Sequence, residues 1–422
     1  MKLSCFRSVV LLLSGLCAIP ALAFGQEWTR FRGANGSGLS ETAFPATFAD
    51  KDFAWKTGLP GGGHSSPVLW GDKVFLTCGD DETARRMVVC VNAKDGHIAW
   101  TQEFGSHTYK KHGDNSYASA TPVVDADRVY VCWNTPEEFT LMALKHDGSS
   151  AWKLNLGAFV SQHGGGNSPI LVGDLLIIAS DTEGKESAAF GIDRKTGKIV
   201  WKTPRKARKV GGFSAATPVV FHPASGGDSV VFCSRAEGMA GLDPRTGKVL
   251  WQLPTLFDLR TIGSPCVGNG IIYASCGESA NGHQLAAVRP ADVADAAPEI
   301  VWKTETETPY VPTPLVKGDM LYTWSDRGMV KCAHAATGEV VWQEHVPGSY
   351  FSSPICAGST LFNVSKKGEV VAVATGDKFE LLGQTPLNEK CHSTPAVAGG
   401  RMYVRTYTHL YCIKGLAGQA AR

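Results

Sequence analysis

The sequence predicts an all-β protein built as one eight-bladed β-propeller. Three observations predict it. A Ser-Pro or Thr-Pro pair before an apolar strand recurs eight times, from Ser66-Pro67 to Thr394-Pro395, at spacings of 55, 47, 49, 47, 49, 40 and 41 residues. In phase with it runs a turn of Thr-Gly or Asp-Gly, then two β-formers and a tryptophan, clearest at Thr196-Gly197-Lys198-Ile199-Val200-Trp201. Finally, the two ends of the chain each hold half of a repeat. Phe53-Ala54-Trp55-Lys56 has a tryptophan strand with no turn before it, and the last unit, through Leu410-Tyr411-Cys412-Ile413-Lys414, has no tryptophan after it.

The pairs fall at Ser66, Thr121, Ser168, Thr217, Ser264, Thr313, Ser353 and Thr394, each followed by proline. Most are followed by a second strand after a Gly-Asp-like turn, as in Gly71-Asp72-Lys73-Val74-Phe75-Leu76. Four short strands per period of ~40–50 residues is the spacing of propeller blades, which bury their faces against one another. The tryptophan closes the outer strand at Trp100, Trp152, Trp201, Trp251, Trp302 and Trp342, and Phe379 stands near its place in the seventh unit. A flat ring there fills the gap to the next blade. The strand around Trp55 is expected to complete the last blade and join the chain's ends.

Residues 1–23 read as a secretory leader. Lys2 and Arg7 precede the apolar run Val9–Leu16, and Ala21-Leu22-Ala23 is a cleavage signal. The run is shorter than the ~20 residues a spanning helix needs. The expected organisation is leader 1–23, N-terminal extension 24–52, propeller 53–415 and tail 416–422, with a periplasmic or secreted location. The whole chain carries a net charge of +2, and both surplus cations lie in the leader. A neutral mature chain has no bulk attraction for nucleic acid or anionic membranes. A monomer is expected. Ten cysteines follow the leader. Cys78 with Cys90, and Cys266 with Cys276, are spaced to meet across neighbouring strands, while buried free thiols are the slightly favoured reading.

The run Gly191-Ile192-Asp193 through Trp201, and Gly241-Leu242-Asp243 through Trp251, resembles the tryptophan-docking repeat of PQQ-like, or quinoprotein-like, propellers, with Gly where that pattern has Ala. Trp28-Thr29-Arg30-Phe31-Arg32-Gly33-Ala34-Asn35-Gly36-Ser37-Gly38 and Asn115-Ser116-Tyr117-Ala118-Ser119-Ala120-Thr121-Pro122 are similar to segments of exported PQQ-like propellers common in planctomycete bacteria. A related branch is the propeller scaffold of the outer-membrane β-barrel assembly machine, which has no enzyme activity. The resemblance implies either a non-catalytic binding or scaffold propeller of the cell envelope, or a PQQ- and calcium-dependent dehydrogenase of alcohols or sugars. The chain lacks the adjacent-cysteine pair that many such dehydrogenases carry, and their calcium ligands match no position in it. The first reading is therefore preferred, with no cofactor and no metal expected.

No Gly-x-Ser-x-Gly, His-Glu-x-x-His, Walker loop or Cys-x-x-Cys-His occurs. Gly61-Gly62-Gly63 and Gly164-Gly165-Gly166 read as turns entering inner strands. Residues just before each Ser/Thr-Pro pair gather at one mouth of a propeller's channel. The candidates there are His64, His112, Asn115, Tyr117, His163, Phe213, Tyr310, Tyr350 and His392. They suit a small ligand, a peptide or an envelope protein, and exposed Tyr117 or Tyr350 would suit a carbohydrate. Polar groups that line a wet channel and hydrogen-bond to water and turns are the plainer reading, and three-His zinc ligation is disfavoured by the blade order. The basic run Arg205-Lys206-Ala207-Arg208-Lys209 reads as a solvated loop.

Overall fold

A computed structural model describes residues 27–279, 281–291 and 297–416. The leader and most of the C-terminal tail lie outside the described residues. The chain forms eight antiparallel sheets of four strands, one gaining a fifth. Blade 1 is Val68–Trp70, Lys73–Gly79, Arg86–Asn92 and Ile98–Phe104, from the innermost strand outward. Blades 2 to 7 follow over 123–155, 170–205, 219–253, 266–304, 315–345 and 355–386. Blade 8 takes its inner three strands from the C-terminal end (Ala396–Ala398, Arg401–Arg405, His409–Lys414) and its outer strand, Phe53–Gly58, from the N-terminal end. Trp55 faces Cys412 across that antiparallel pairing. The strand around Trp55 thus closes the last blade.

The Ser/Thr-Pro pairs join the blades at the axis. Proline restricts the residue before it to extended backbone, which turns that residue's N–H sideways toward the next blade. The Ser66 N–H donates to Thr121 Oγ1, Thr121 to Ser168 Oγ, Thr217 to Ser264 Oγ, Ser264 to Thr313 Oγ1, Thr313 to Ser353 Oγ, Ser353 to Thr394 Oγ1 and Thr394 to Ser66 Oγ, all at 2.9–3.0 Å. Blades 3 and 4 are linked beside this ring by Asn167 Nδ2, which donates to the Ser214 carbonyl at 2.7 Å.

The tryptophans join the blades at the rim. Trp55, Trp100, Trp152, Trp201, Trp302 and Trp342 each donate Nε1–H to a backbone carbonyl in a turn of the next blade, at 2.9–3.1 Å. Within its own blade each faces a small residue across the strands: Cys412, Cys90, Ala143, Gly191, Ala287 and Cys332. This explains the Gly-for-Ala departure and three of the cysteines: the position demands small bulk, which Ala, Gly and Cys all meet. The turn glycine of the next blade lies beneath the indole. At Gly247 (φ +70°) a Cβ would stand 2.5 Å from the Trp201 ring.

All ten cysteines of the described residues are free and buried. Register explains why neither suggested pair meets. Cys78 faces Met87, three positions short of Cys90, and Cys266 faces Tyr273, three short of Cys276. The basic run needs a correction at its first residue. Arg205 is buried, with Nε donating to Asp181 Oδ1 at 2.7 Å and Nη1 3.2 Å from Glu237. Its backbone ends the outer strand of blade 3, so its side chain is drawn inward against those carboxylates.

Two predictions follow from this packing. Gly247→Ala should cost about 2 kcal/mol or more in urea denaturation, from left-handed strain plus displacement of Trp201, whereas Gly71→Ala, at φ +56° with open space around it, should cost about 1 kcal/mol. Burial pushes the Cys90 and Cys391 thiols up to about 12. A thiol reagent should therefore label none of the ten cysteines in the native chain and all ten after denaturation. Fewer than ten after denaturation would reveal a disulfide.

Candidate functional site: a blind funnel on the axis

Side chains alternate along extended backbone with a period of two. Since each Ser/Thr of the ring faces the axis, the residue two before it should do so as well. That holds in all eight blades: His64, Ser119, Gly166, Ala215, Ile262, Val311, Phe351 and His392 line one axial cavity together with the eight ring residues. Phe31 lines the same cavity from below, and its volume is about 560 Å³.

Phe31 is there because the N-terminal extension crosses the axis beneath the ring. The innermost strands are two or three residues long, and within their own blades their inner edges have no sheet neighbour. Such edges need covering. Trp28 bridges Leu69 in blade 1, and the Val124 N–H of blade 2 donates to Thr29 O at 2.8 Å. Arg30 donates to Pro218 O in blade 4, where Asn35 also exchanges two bonds with Val220 at 2.7 and 2.8 Å. Arg32 is fully buried and donates to Pro314 O and Pro354 O, both at 2.9 Å, in blades 6 and 7. Leu39–Ser40 then adds a parallel strand to blade 7. The channel is consequently closed at this end and forms a funnel with a floor, not a through-going wet channel.

The walls carry two imidazole pairs. His64 and His392 belong to blades made adjacent by ring closure, and their rings stack at 4.2 Å. His392 Nδ1–H donates to Asp114 O at 3.1 Å, while His392 Nε2 and both ring nitrogens of His64 have no partner. Burial, then Lys390 and Lys366, hold the His392 imidazole down to about 4, and burial with His392 and nearby cations holds His64 well below the usual range. Both are neutral at pH 7. On the other wall His163 lies 5.3 Å from His112, meets Arg260 at Nε2 and stacks on Phe213 at 6.4 Å. Burial and Arg260 lower the His163 imidazole as well. Asp114 is held by Lys366 at 2.7 Å.

Of the sequence candidates, His64, His112, Asn115, His163, Phe213, Tyr310 and His392 line the cavity. Asn115 is engaged in shaping the loop, donating to His163 O at 2.6 Å and Gly165 O at 3.1 Å. Tyr117 and Tyr350 do not line it. Tyr117 lies over the Arg86 guanidinium at 4.7 Å, and Tyr350 is fully buried against Trp324 at 5.2 Å. Neither offers an exposed aromatic face to a sugar. Arg260, Phe351, Ile262 and Phe31 were missed. Counting back in twos from each Ser/Thr-Pro pair finds the first three. The glycine runs do enter inner strands, and they also leave room for neighbours: a Cβ on Gly165 would meet Asn134, and one on Gly63 would meet Arg405.

A family profile described as "Outer membrane protein assembly factor BamB" matches residues 46–152 and 85–344. The chain belongs to this family. Among solved structures, BamB from Moraxella catarrhalis superposes with a TM-score of 0.61 at 16% identity, covering 88% of this chain and 99% of that one. The quinohemoprotein alcohol dehydrogenase from Comamonas testosteroni gives 0.63 at 12% identity, covering 94% and 81%. The computationally designed Ika8 protein gives 0.58 at 11% identity, covering 85% and 98%. These likenesses establish a shared PQQ-like propeller fold. No curated protein sequence matches significantly.

The quinoprotein neighbours raise the question of whether this BamB-family funnel suits a quinone with calcium. Calcium takes roughly six to eight oxygens, carboxylates prominent among them. Asp114 is the one carboxylate lining the cavity among the described residues, and Lys366 already holds it. No group of three or more His, Cys, Asp or Glu able to hold a metal occurs among the described residues. The donors do not fit a calcium–quinone pair.

The buried imidazole makes a pH prediction. The folded value of His392, about 4, lies below its ordinary 6.5. Its contribution to stability is therefore present above pH 6.5 and lost as pH falls toward 4. Asp326, raised by burial to about 6, acts with the opposite sign, losing stability as pH rises from 3.8 through 6. Comparing wild type with His392→Asn isolates the first term. Urea denaturation should show the variant gaining about 3 kcal/mol relative to wild type between pH 7 and pH 4. Parallel profiles would contradict a buried neutral imidazole.

Proposed function

We propose that the chain is an exported, monomeric binding propeller of the cell envelope. It holds a small ligand, or a short protruding segment of an envelope protein, in the blind funnel and performs no chemistry on it. The observation that carries this reading is the set of partnerless imidazole nitrogens on His64 and His392 in a floored cavity. A buried polar group left unpaired costs about 1–3 kcal/mol, and a ligand toward which either ring turns relieves that cost. Seven ring hydroxyls already accept a backbone N–H from the neighbouring blade. That placement serves the fold and leaves none of them against an imidazole base, which favours binding over acyl or phosphoryl transfer. The family's description as an outer membrane protein assembly factor supports the envelope setting. So does the leader-like sequence at 1–23. No helix among the described residues is long and apolar enough to cross a membrane.

A thermal-shift panel of sugars, sugar acids, amino acids and short peptides tests this. At least one compound should raise Tm by a few degrees at saturating concentration. Ile262→Trp, which fills the funnel from one wall, should abolish the shift while leaving the unliganded Tm within a few degrees of wild type. No shift with any compound, or shifts unaffected by Ile262→Trp, would overturn the reading.

A further inference from the structure

We infer that the funnel takes a small acidic sugar, a uronate or aldonate, with its carboxylate on Arg260 and its hydroxyls on the Ser/Thr ring. This rests on the binding reading above and names the ligand class. Four features of the cavity lead to it. Seven ring hydroxyls each accept one N–H from the neighbouring blade, which leaves every one of them its O–H donor and a single lone pair for the cavity. Thr217 receives no N–H from Ser168 and faces the cavity with its hydroxyl uncommitted. A ring of donors selects a ligand rich in acceptor oxygens.

The charge at the site is positive. Arg260 is 7% exposed, lines the cavity, and its Nε has no partner. Its Nη2 lies 3.6 Å from the half-exposed Glu278, a loose pairing. Asp114 is already neutralised by Lys366. Its Nη1 meets the neutral His163 Nε2, and a carboxylate is a stronger partner for a buried guanidinium than an imidazole or a loosely paired surface glutamate.

Neutral imidazoles separate a sugar acid from an inorganic anion. Neutral His64 has one donor and one acceptor nitrogen, and His392, whose Nδ1–H is bonded to Asp114 O, has an acceptor at Nε2. Sulfate oxygens satisfy only donors, whereas sugar hydroxyls satisfy both. The Phe31 floor and the Phe213 wall supply apolar faces for the C–H side of a sugar ring, and about 560 Å³ holds one or two sugar units.

Titration calorimetry of the purified full chain with glucuronate, glucose and sulfate decides it. Glucuronate should bind saturably, with glucose and sulfate weaker by about tenfold or more. Arg260→Gln should weaken glucuronate about tenfold and leave glucose unchanged. Thr217→Val, nearly isosteric and breaking no ring bond, should weaken it severalfold. Equal binding of glucuronate and glucose, unaffected by Arg260→Gln, would overturn the acidic-sugar assignment while leaving a binding funnel intact. Equal or tighter binding of sulfate would overturn the sugar part. No glucuronate binding, with another panel compound bound in an Ile262→Trp-sensitive way, would overturn the assignment alone.

Discussion

The ring of hydroxyl-to-amide bonds at the axis is what the rest of the architecture depends on. Each innermost strand is only two or three residues long, and outside blade 7 its inner edge has no strand beside it. Proline at the start of these strands limits the number of amides to be satisfied, and the Ser or Thr before it passes its own amide to the next blade. Sequence types with a short hydroxyl and an imposed extended backbone are needed at the same place eight times. Apart from the step between Ser168 and Thr217, the bonds run in one direction around the axis, and the bond from Thr394 to Ser66 closes the circle across the chain ends. Lower down, where the hydroxyls no longer reach, Trp28 to Ser40 does the same work with backbone and with two arginines.

A binding cavity arises from this construction with little added. Eight equivalent positions converge on the axis, so a change two residues before any ring position alters one wall of one cavity. In blades 3 and 4 those positions are Gly166 and Ala215, which leave room. In blades 8 and 1 they are His392 and His64, which bring chemistry. The scaffold is symmetric in its bonds and asymmetric in its lining, and the asymmetry is where selectivity resides.

The fold was almost wholly legible because its signals are local. A turn glycine beneath a tryptophan and a hydroxyl before a proline lie within a few residues of the bonds they make. The half-repeats at the two ends predicted the closure that Trp55 and Cys412 complete. The site was legible only in part. Proximity in sequence to the ring brought His64 and His392 to notice, but it does not decide which way a side chain faces: Tyr310 and Tyr350 each stand three residues before a ring position, yet one lines the cavity and the other is buried against Trp324. Phe31 and the buried Arg30 and Arg32 were beyond local reasoning. Their partners at Pro218, Pro314 and Pro354 are more than 180 residues away, and nothing in the run Trp28–Gly38 itself says that it crosses a channel. The thiol question turned on register, which spacing alone does not give.

The crossing segment also imposes an order on assembly. Residues 28–40 are synthesised early, yet the five blades they contact, 1, 2, 4, 6 and 7, are all made later. The outer strand at Phe53–Gly58 waits still longer, since its partner His409–Lys414 is the final strand of the chain. Until then the leading segment has no completed binding surface, and the last blade lacks its outer edge. Contacts of such long sequence separation slow folding, and the exposed edges of the waiting blades invite mispairing. The ring can therefore be complete only after the last strand has been made, when the rim at blade 8 and the bond from Thr394 to Ser66 can both form.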